Sequence, residues 1–279
     1  MSKLRSFSLF LSLSAAFAAP AASLAQASQP NHTPVIVELF TSEGCSSCPP
    51  ADALLARLDR DQPVAGAQII VLGEHVDYWD NLGWHDRFSS HEYTNRQSGY
   101  SAKLNLADVY TPQMIVDGTD QFVGSDSSHA HRAIQSATQS PKVALTLSHP
   151  VLDGSKISAV VSFPVSPATN PRADLYAALV DPTDSTEVRG GENGGRTLHH
   201  VGVVRSLQRI GSLKDLLSHP VSFTLNAPAD SKPGEMRVVV FAQQGDQGAI
   251  VGAVQESVRE SAQGAVPGTG SGAVARLTR

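Results

Sequence analysis

The two cysteines of the 279-residue chain are Cys45 and Cys48, separated by Ser46 and Ser47. At this spacing two thiols can form a disulfide with each other. They can also work together in thiol–disulfide exchange, in which one thiolate attacks a substrate disulfide and the other resolves the mixed disulfide. This C-x-x-C pair is therefore the candidate reactive centre of the chain.

The pair lies where a buried strand should pass into a helix. Residues 35–41 are apolar apart from Glu38, as in a strand covered on both faces. From Pro49 the apolar residues follow a helical period, and a proline in the first helical turn costs little. The start of such a helix would favour a thiolate at Cys45, and Cys48 would be the resolving thiol.

The N-terminus has the pattern of a secretory signal peptide. Lys3 and Arg5 precede an apolar run over residues 7–19, and residues 25–27 form a small-x-small cleavage site. We expect residues 1–27 to be removed, leaving a periplasmic or secreted protein with no membrane span. In an oxidising compartment, vicinal cysteines are normally found as a disulfide.

Charge and length limit the function classes. Removal of the signal peptide takes away two basic residues and no acids, so the formal charge moves from −5 to −7. An acidic chain argues against nucleic acid or anionic lipid as the partner. We expect protein thiols or disulfides as partners and no cofactor, and the length favours two domains.

Residues 28–140 alternate strands and helices. The patterns predict strands at 35–41 and 67–73, helices starting at 49 and spanning 87–105, two short strands flanking residues 117–120, and a helix running from a cap at 126–128 to about 139. A strand, helix, strand order implies a parallel crossover. The dithiol and residues 74–80 should therefore lie at the same edge of the sheet.

Residues 141–258 have a different residue pattern, which predicts a β-sandwich-like domain. Alternating, β-branched stretches are separated by Pro, Gly, Asn and Asp; they cover residues 143–148, 156–163, 173–180, 197–207, 221–225, 235–243 and 249–258. Residues 259–279, rich in glycine, predict a disordered tail.

The order β-α-β-α-β-β-α, with the C-x-x-C after the first strand and a Thr-Pro before the third, resembles the thioredoxin fold. Three blocks, residues 35–52, 74–80 and 109–114, are more closely similar to a secreted thioredoxin-like family of bacteria and plants that is catalogued as a domain of unknown function. The expected fold class is thus an α/β thioredoxin-like N-terminal domain followed by an all-β, sandwich-like C-terminal domain.

The resemblance implies further site residues. In thioredoxins the proline of this pair is cis and faces the disulfide, which here implies Pro112, preceded by Thr111 on the peptide-binding side. A buried acid that exchanges a proton with the second cysteine is implied at Glu38, although it lies one residue further from Cys45. The alternative is that the Glu38 carboxylate has no catalytic role and only accepts hydrogen bonds from backbone N–H groups.

Departures from thioredoxin leave the direction of electron flow open. Thioredoxin has an aromatic residue before its first cysteine and Gly-Pro between the two, whereas this chain has Gly44 and Ser46-Ser47. The resemblance therefore does not separate reductase, oxidase and isomerase, and it names neither substrate nor redox partner.

Residues after the second strand are candidates for substrate contact. His75, Tyr78 and Trp79 would line a groove together with Thr111, and Trp84 belongs to the same aromatic group. Each has an ordinary alternative, which is core packing for the aromatic rings and a hydrogen-bonded neighbour for the histidine.

A polar, glycine-rich stretch at residues 189–200 contains two arginines, an acid, an amide and two histidines. Glycine-rich turns before a strand are common in β-hairpins, which is the ordinary interpretation of this stretch. The stretch could also contact an anion or a metal, or fold over the edge of the sheet that carries the two cysteines.

The leading hypothesis is an exported thiol–disulfide oxidoreductase acting on protein substrates, with Cys45, Cys48, Pro112 and Glu38 as its catalytic group. The alternative is a non-catalytic thioredoxin-like binding or metal-handling protein with a structural disulfide. Closing so short a loop gives only about 2 kcal/mol in the chain-entropy model, which argues against a purely structural bridge. Two thiolates fill half of a tetrahedral metal site, so we expect no metal even with His75 nearby.

Overall fold

The computed structural model of the protein describes residues 32–164 and 172–260. The predicted signal peptide lies outside the described residues, as do residues 261–279 of the predicted tail.

The first half of the chain alternates strands and helices. Its elements are β1 (Thr33–Thr41), α1 (Pro49–Asp61), β2 (Ala67–His75), α2 (His91–Lys103), β3 (Gln113–Val116), β4 (Asp120–Val123) and α3 (Ser127–Ala137). α2 begins four residues later than predicted, because Ser90 is its N-cap and accepts a hydrogen bond from the Glu92 N–H at 3.2 Å.

The second half is built mainly of strands. Its elements are β5 (Thr146–Leu147), β6 (Val151–Asp153), β7 (Lys156–Ser162), β8 (Asp174–Glu187), β9 (Thr197–Ser212), α4 (Leu213–Leu216), β10 (Val221–Asn226), a 3-10 turn (Pro233–Glu235), β11 (Arg237–Gln243), β12 (Ile250–Ser257) and β13 (Arg259–Glu260). The predicted tail is therefore wrong at its first two residues, because the Arg259 N–H bonds the Pro150 carbonyl and β13 pairs with β6.

One eight-stranded sheet runs through both halves in the order β12-β11-β8-β9-β2-β1-β3-β4. β1 and β2 are parallel, so their C-terminal ends meet at one edge. A second sheet has the order β10-β7-β6-β13, with β5 beside β7. The predicted boundary at residue 140 therefore does not separate two sheets.

Three layers of apolar packing hold these elements. α1 and α3 cover one face of β1 to β3, through the cluster of Val35, Val37 and Leu39. The opposite face of β1 and β2 shares a cluster with β8, β9 and β11, as Ile36 and Phe241 show. The outer face of β8 and β11 packs on β7 and β10 of the second sheet.

β8 extends seven residues beyond its predicted end at 180, and β9 extends five residues beyond its predicted end at 207. Beyond residue 180, β8 pairs with the predicted start of β9 as an antiparallel ribbon to the pair Glu187↔Thr197, and the polar side chains of β8 there do not follow an apolar alternation. β9 approaches β2 closely at Gly202, where an added Cβ would lie 2.7 Å from the Val71 carbonyl oxygen. This approach brings the end of the ribbon to the edge where β1 and β2 end.

Candidate functional site

Cys45 and Cys48 form a disulfide, and Cys48 is the N-cap residue of α1. Pro49 and Pro50 occupy the first helical turn, as predicted. Both cysteines have 0% exposed surface, although Ser46 and Ser47 between them are exposed. The disulfide is thus closed off from solvent.

Pro112 lies beside the start of α1. The Thr111-Pro112 peptide bond is cis. Because Gln113 pairs with Phe40, Pro112 stands at the C-terminal end of β1. A Cβ placed on Gly124 would be 3.1 Å from the Ala51 Cβ and 3.2 Å from the Pro112 Cβ, which puts the proline next to the first turn of the helix.

Residues 188–196, the turn that joins β8 to β9, cover the disulfide; we call them the cover loop. Asn193 is fully buried, and its amide donates hydrogen bonds to the Glu43 carbonyl at 2.9 Å and the Cys45 carbonyl at 3.0 Å. Glu192 accepts a hydrogen bond from the Ser46 N–H at 3.0 Å. The polar stretch noted in the sequence therefore folds over the dithiol edge.

Two glycines allow the cover loop to pack closely against residues 83 and 84. A Cβ on Gly190 would lie 2.4 Å from the Gly83 carbonyl oxygen, and Gly191 has φ +65° and faces the Trp84 side chain. The loop is closed at its base by hydrogen bonds between the backbones of Val188 and residues 195 and 196.

Five buried ionisable side chains, none more than 7% exposed, cluster beneath the cover loop: Glu43, Asp52, His75, Asp86 and His200. His75 Nδ1 lies 2.6 Å from Asp86 Oδ2, which also accepts the Glu43 N–H at 2.9 Å. The rings of His75 and His200 are 4.8 Å apart, edge to face. Residues from β2, the following loop and β9 thus meet beside the disulfide.

Glu43 and His200 are incompletely satisfied. Trp84 donates its indole N–H to Glu43 Oε2 at 2.7 Å. Glu43 Oε1 lies 3.4 Å from His200 Nε2, a distance that allows charge interaction but without hydrogen-bond geometry. Within the described residues, neither nitrogen of His200 has a hydrogen-bond partner. Polar groups this well buried normally have hydrogen-bond partners.

Asp52 is the acid nearest to Cys48 along α1, since its N–H bonds the Cys48 carbonyl at 3.1 Å. Burial raises the pKa of Asp52 above its ordinary value, although the charges of His200 and His75 and a hydrogen bond from Thr41 act against the rise. A carboxylate with a raised pKa takes up a proton more readily than an ordinary aspartate does.

His75 and Asp86 form an ion pair. Burial alone would raise the pKa of Asp86, but the charge and hydrogen bond of His75 and two backbone N–H groups outweigh it and lower the pKa to about 2. Burial alone would lower the pKa of His75, but Asp86 outweighs it and raises the pKa. Positive charge is thus held near the site by an internal carboxylate.

A model of the family described as "Protein of unknown function (DUF1223)" matches residues 36–243. The chain belongs to the DUF1223 family. No protein with a curated description matches the chain.

The DUF1223 chain is also similar to solved structures. A crystal structure of an Agrobacterium tumefaciens protein is 29% identical, with a TM-score of 0.64, over 82% of this chain and 96% of that chain. A domain of the outer membrane lipoprotein Omp28 from Porphyromonas gingivalis is 14% identical, with a TM-score of 0.26, over 43% of this chain and 97% of that chain. The second likeness is too weak to bear on the fold.

Glu38 lies on the other side of the sheet in this DUF1223 chain. Its neighbours Val37 and Leu39 pack against α1, whereas its own carboxylate faces α2. Arg96 donates to Glu38 Oε1 at 2.7 Å and the Tyr100 hydroxyl to Oε2 at 2.5 Å. Because side chains alternate along a strand, Glu38 lies on the face of β1 opposite to α1 and does not reach Cys48 as the resemblance implied.

The predicted substrate-binding residues separate into two groups. Tyr78 is exposed and Trp79 and Thr111 are half-buried, with the Trp79 indole bonded to the Thr111 hydroxyl at 2.8 Å. His75 is only 1% exposed and is bound to Asp86, so it belongs to the buried cluster. Trp84 packs under the cover loop and binds Glu43.

Asp86, Asn193 and His200 are site residues that sequence reasoning did not single out. Asp86 stands in an irregular segment without periodicity. The other two lie in the polar stretch of residues 189–200, whose density of functional groups was the available signal.

Within residues 32–164 and 172–260, no three His, Cys, Asp or Glu side chains converge so as to hold a metal ion. None of the helices there is long and apolar enough to cross a bilayer.

The His75–Asp86 pair predicts a defined pH dependence of stability. A raised pKa for His75 adds stability that is present below its unfolded value of about 6.5 and lost as the pH rises through the folded value. A lowered pKa for Asp86 adds stability that is present above its unfolded value of about 3.9 and lost as the pH falls toward about 2. The pair should therefore contribute most between about pH 4 and 6.5.

We expect the difference in unfolding free energy between the native protein and His75→Gln, measured by urea titration, to be largest near pH 5.5 and smaller at pH 9. His85→Gln is the control, because His85 is exposed and pairs with Asp80 at the surface. A difference that stays constant or grows from pH 5.5 to pH 9 contradicts the assignment of this ion pair.

Proposed function

We propose that this protein is an exported thiol–disulfide oxidoreductase with a thioredoxin-like fold, in which the Cys45–Cys48 disulfide exchanges with thiols or disulfides of client proteins. The observation that carries the proposal is the buried ionisable cluster around a disulfide that closes only a short loop. Burying charged groups costs several kcal/mol, whereas this bridge gives about 2 kcal/mol, so stability alone does not account for the arrangement. The signal-peptide pattern of residues 1–27 supports export.

The exchange can be written with this chain's own groups. In the reduced protein, the Cys45 thiolate attacks one sulfur of the client disulfide, and the other client sulfur leaves with the bonding electron pair and takes up a proton. The Cys48 thiol then gives its proton to the Asp52 carboxylate and attacks Cys45 Sγ. This step restores the Cys45–Cys48 disulfide and releases the second client thiolate; the reverse sequence oxidises a client dithiol.

The second half of the chain serves the reaction through the cover loop and His200. Asn193 holds the loop onto the backbone of Glu43 and Cys45, so the disulfide becomes reachable when that contact opens. Local opening of a short turn costs much less than global unfolding. His200 and Glu43 would then lie in the opened site beside the sulfurs.

Trapping of mixed disulfides tests the proposal. In Cys48→Ser the attacking thiol stays and the resolving thiol is gone, so client proteins should accumulate as adducts at Cys45 that a reductant releases. Cys45→Ser is the matched control and should trap far fewer. Equal, near-zero trapping by both variants in the extract of the compartment where the protein resides, with Asn193→Ala added as well as without it, would overturn the proposal.

Full burial of both cysteines favours a second candidate, a non-catalytic binding protein whose disulfide only fixes the turn before α1. In that case Cys48→Ser should trap nothing even when the cover loop is loosened by Asn193→Ala. Trapping that appears only in the double variant would instead show a reactive pair that the loop restrains.

A further inference from the structure

A groove of about 490 Å³ runs along the outside of the redox site. One wall is α1, from Pro49 to Arg60, and the other is Arg196 of the cover loop with the start of β9, residues 197–199. We propose that this α1/β9 groove binds an acidic, extended segment of the client protein, next to the cysteines that exchange. The inference rests on the proposed function and names its substrate class.

Three guanidinium groups and one carboxyl group, that of the buried Asp52, line the groove in a protein whose net charge is −5. Arg60 is paired with its neighbour Asp61 at 2.8 Å. Within the described residues, Arg57 forms no ion pair, and Arg196 bonds the Asn193 amide oxygen at 2.8 Å without a carboxylate partner. Arginines without acidic partners are available to a carboxylate from outside.

The shape of the groove fits a peptide. From Pro49 to Arg60 the helix axis advances about 16 Å at about 1.5 Å per residue. An extended chain at about 3.3 Å per residue would place roughly five residues along that length. Ala53 and Ala56 give the α1 wall small apolar side chains, so there is room for peptide side chains between the arginines. A small anion would occupy only one guanidinium and leave the rest of the groove empty.

The groove is continuous with the redox site at both walls. Pro49 directly follows Cys48 at one end. Arg196 belongs to the cover loop and binds Asn193, the residue that holds the loop over the disulfide. A carboxylate that draws Arg196 away from Asn193 would weaken the cover, so an acidic client would favour the open state by binding it more tightly.

A binding measurement separates this inference from the redox proposal. The probe is a fluorescent peptide of alternating glutamates and small residues that contains serine and no cysteine, titrated with the full mature protein at low ionic strength. We expect Arg57→Glu to weaken binding by about 5- to 20-fold, because reversing a charge replaces attraction by repulsion, and added salt to weaken it as well. Arg132→Glu, the same charge change on the exposed side of α3, should leave binding unchanged.

Two outcomes overturn the groove as the site. One is equal binding by the native protein and Arg57→Glu, and the other is an equal affinity for the same peptide with glutamine in place of glutamate. Displacement of the peptide by millimolar inorganic phosphate would identify a simple anion site and reject the peptide class. Since the probe has no sulfur, a failure here leaves the trapping result untouched, and failed trapping leaves this result untouched.

Discussion

Replacing Asn193 by alanine is expected to speed reduction of the Cys45–Cys48 disulfide by a small dithiol by about 30-fold or more. The Asn193 amide makes two hydrogen bonds to buried carbonyls next to the bridge. Each such bond contributes about 1 to 1.5 kcal/mol, and every 1.4 kcal/mol of opening free energy is a factor of ten in the open population. If reduction proceeds from the open state, its rate follows that population.

The measurement is the rate at which the two thiols become reactive to a thiol reagent after addition of excess dithiothreitol, with folding checked by circular dichroism. Arg189→Ala is the matched control, because Arg189 is an exposed residue of the same loop whose ion pair with Glu187 spans 3.9 Å. We expect Arg189→Ala to be reduced at the native rate. Equal rates for Asn193→Ala and the native protein would show that the loop does not control access.

Replacing Arg96 by methionine is expected to lower the free energy of unfolding by about 3 to 5 kcal/mol. Arg96 is 5% exposed and lies between Glu38 and Tyr100. Arg96 also lies 3.5 Å from Glu74, whose pKa is raised well above its ordinary value by burial and then by the charge of Glu38. Removing the guanidinium leaves the Glu38 charge buried without a counter-ion.

Denaturant unfolding at pH 7 measures this loss. Arg209→Met removes an arginine whose ion pair with Asp174 is exposed, and it should cost less than about 1 kcal/mol. Adding Glu38→Gln to Arg96→Met should recover part of the stability, because the uncompensated charge is then gone. A loss no larger than that of Arg209→Met would contradict the assignment of Glu38 as a buried counter-ion.

The reactive pair and its supporting elements could be predicted because their signals are local. Cys45 and Cys48, the prolines after them and the apolar strand before them stand within a few residues of one another, and period and turn chemistry suffice to place them. The proline at 112 was singled out by its position in a motif, and the Thr111-Pro112 bond is cis.

The rest of the site depends on contacts between distant parts of the chain. Asn193 and Glu43 are 150 residues apart in sequence, and the β8 strand that leads to Asn193 is polar beyond residue 180 and has no strand pattern there. Side chains alternate between the two faces of a strand, so one residue of spacing decides which face of the sheet Glu38 occupies. A comparison of motifs does not take that spacing into account. The second half of the chain was predicted to be a separate domain because alternating, β-branched stretches begin at residue 142. Its strands nevertheless complete the first sheet.

The reduction potential of the Cys45–Cys48 pair tests the central claim most directly. The measurement equilibrates the full mature protein with defined thiol and disulfide buffers and counts free thiols at each ratio. We expect a potential above about −300 mV, in the range of disulfides that exchange with cellular thiols. A potential well below about −300 mV, together with no adducts on Cys48→Ser, would identify a structural disulfide and contradict the proposed function.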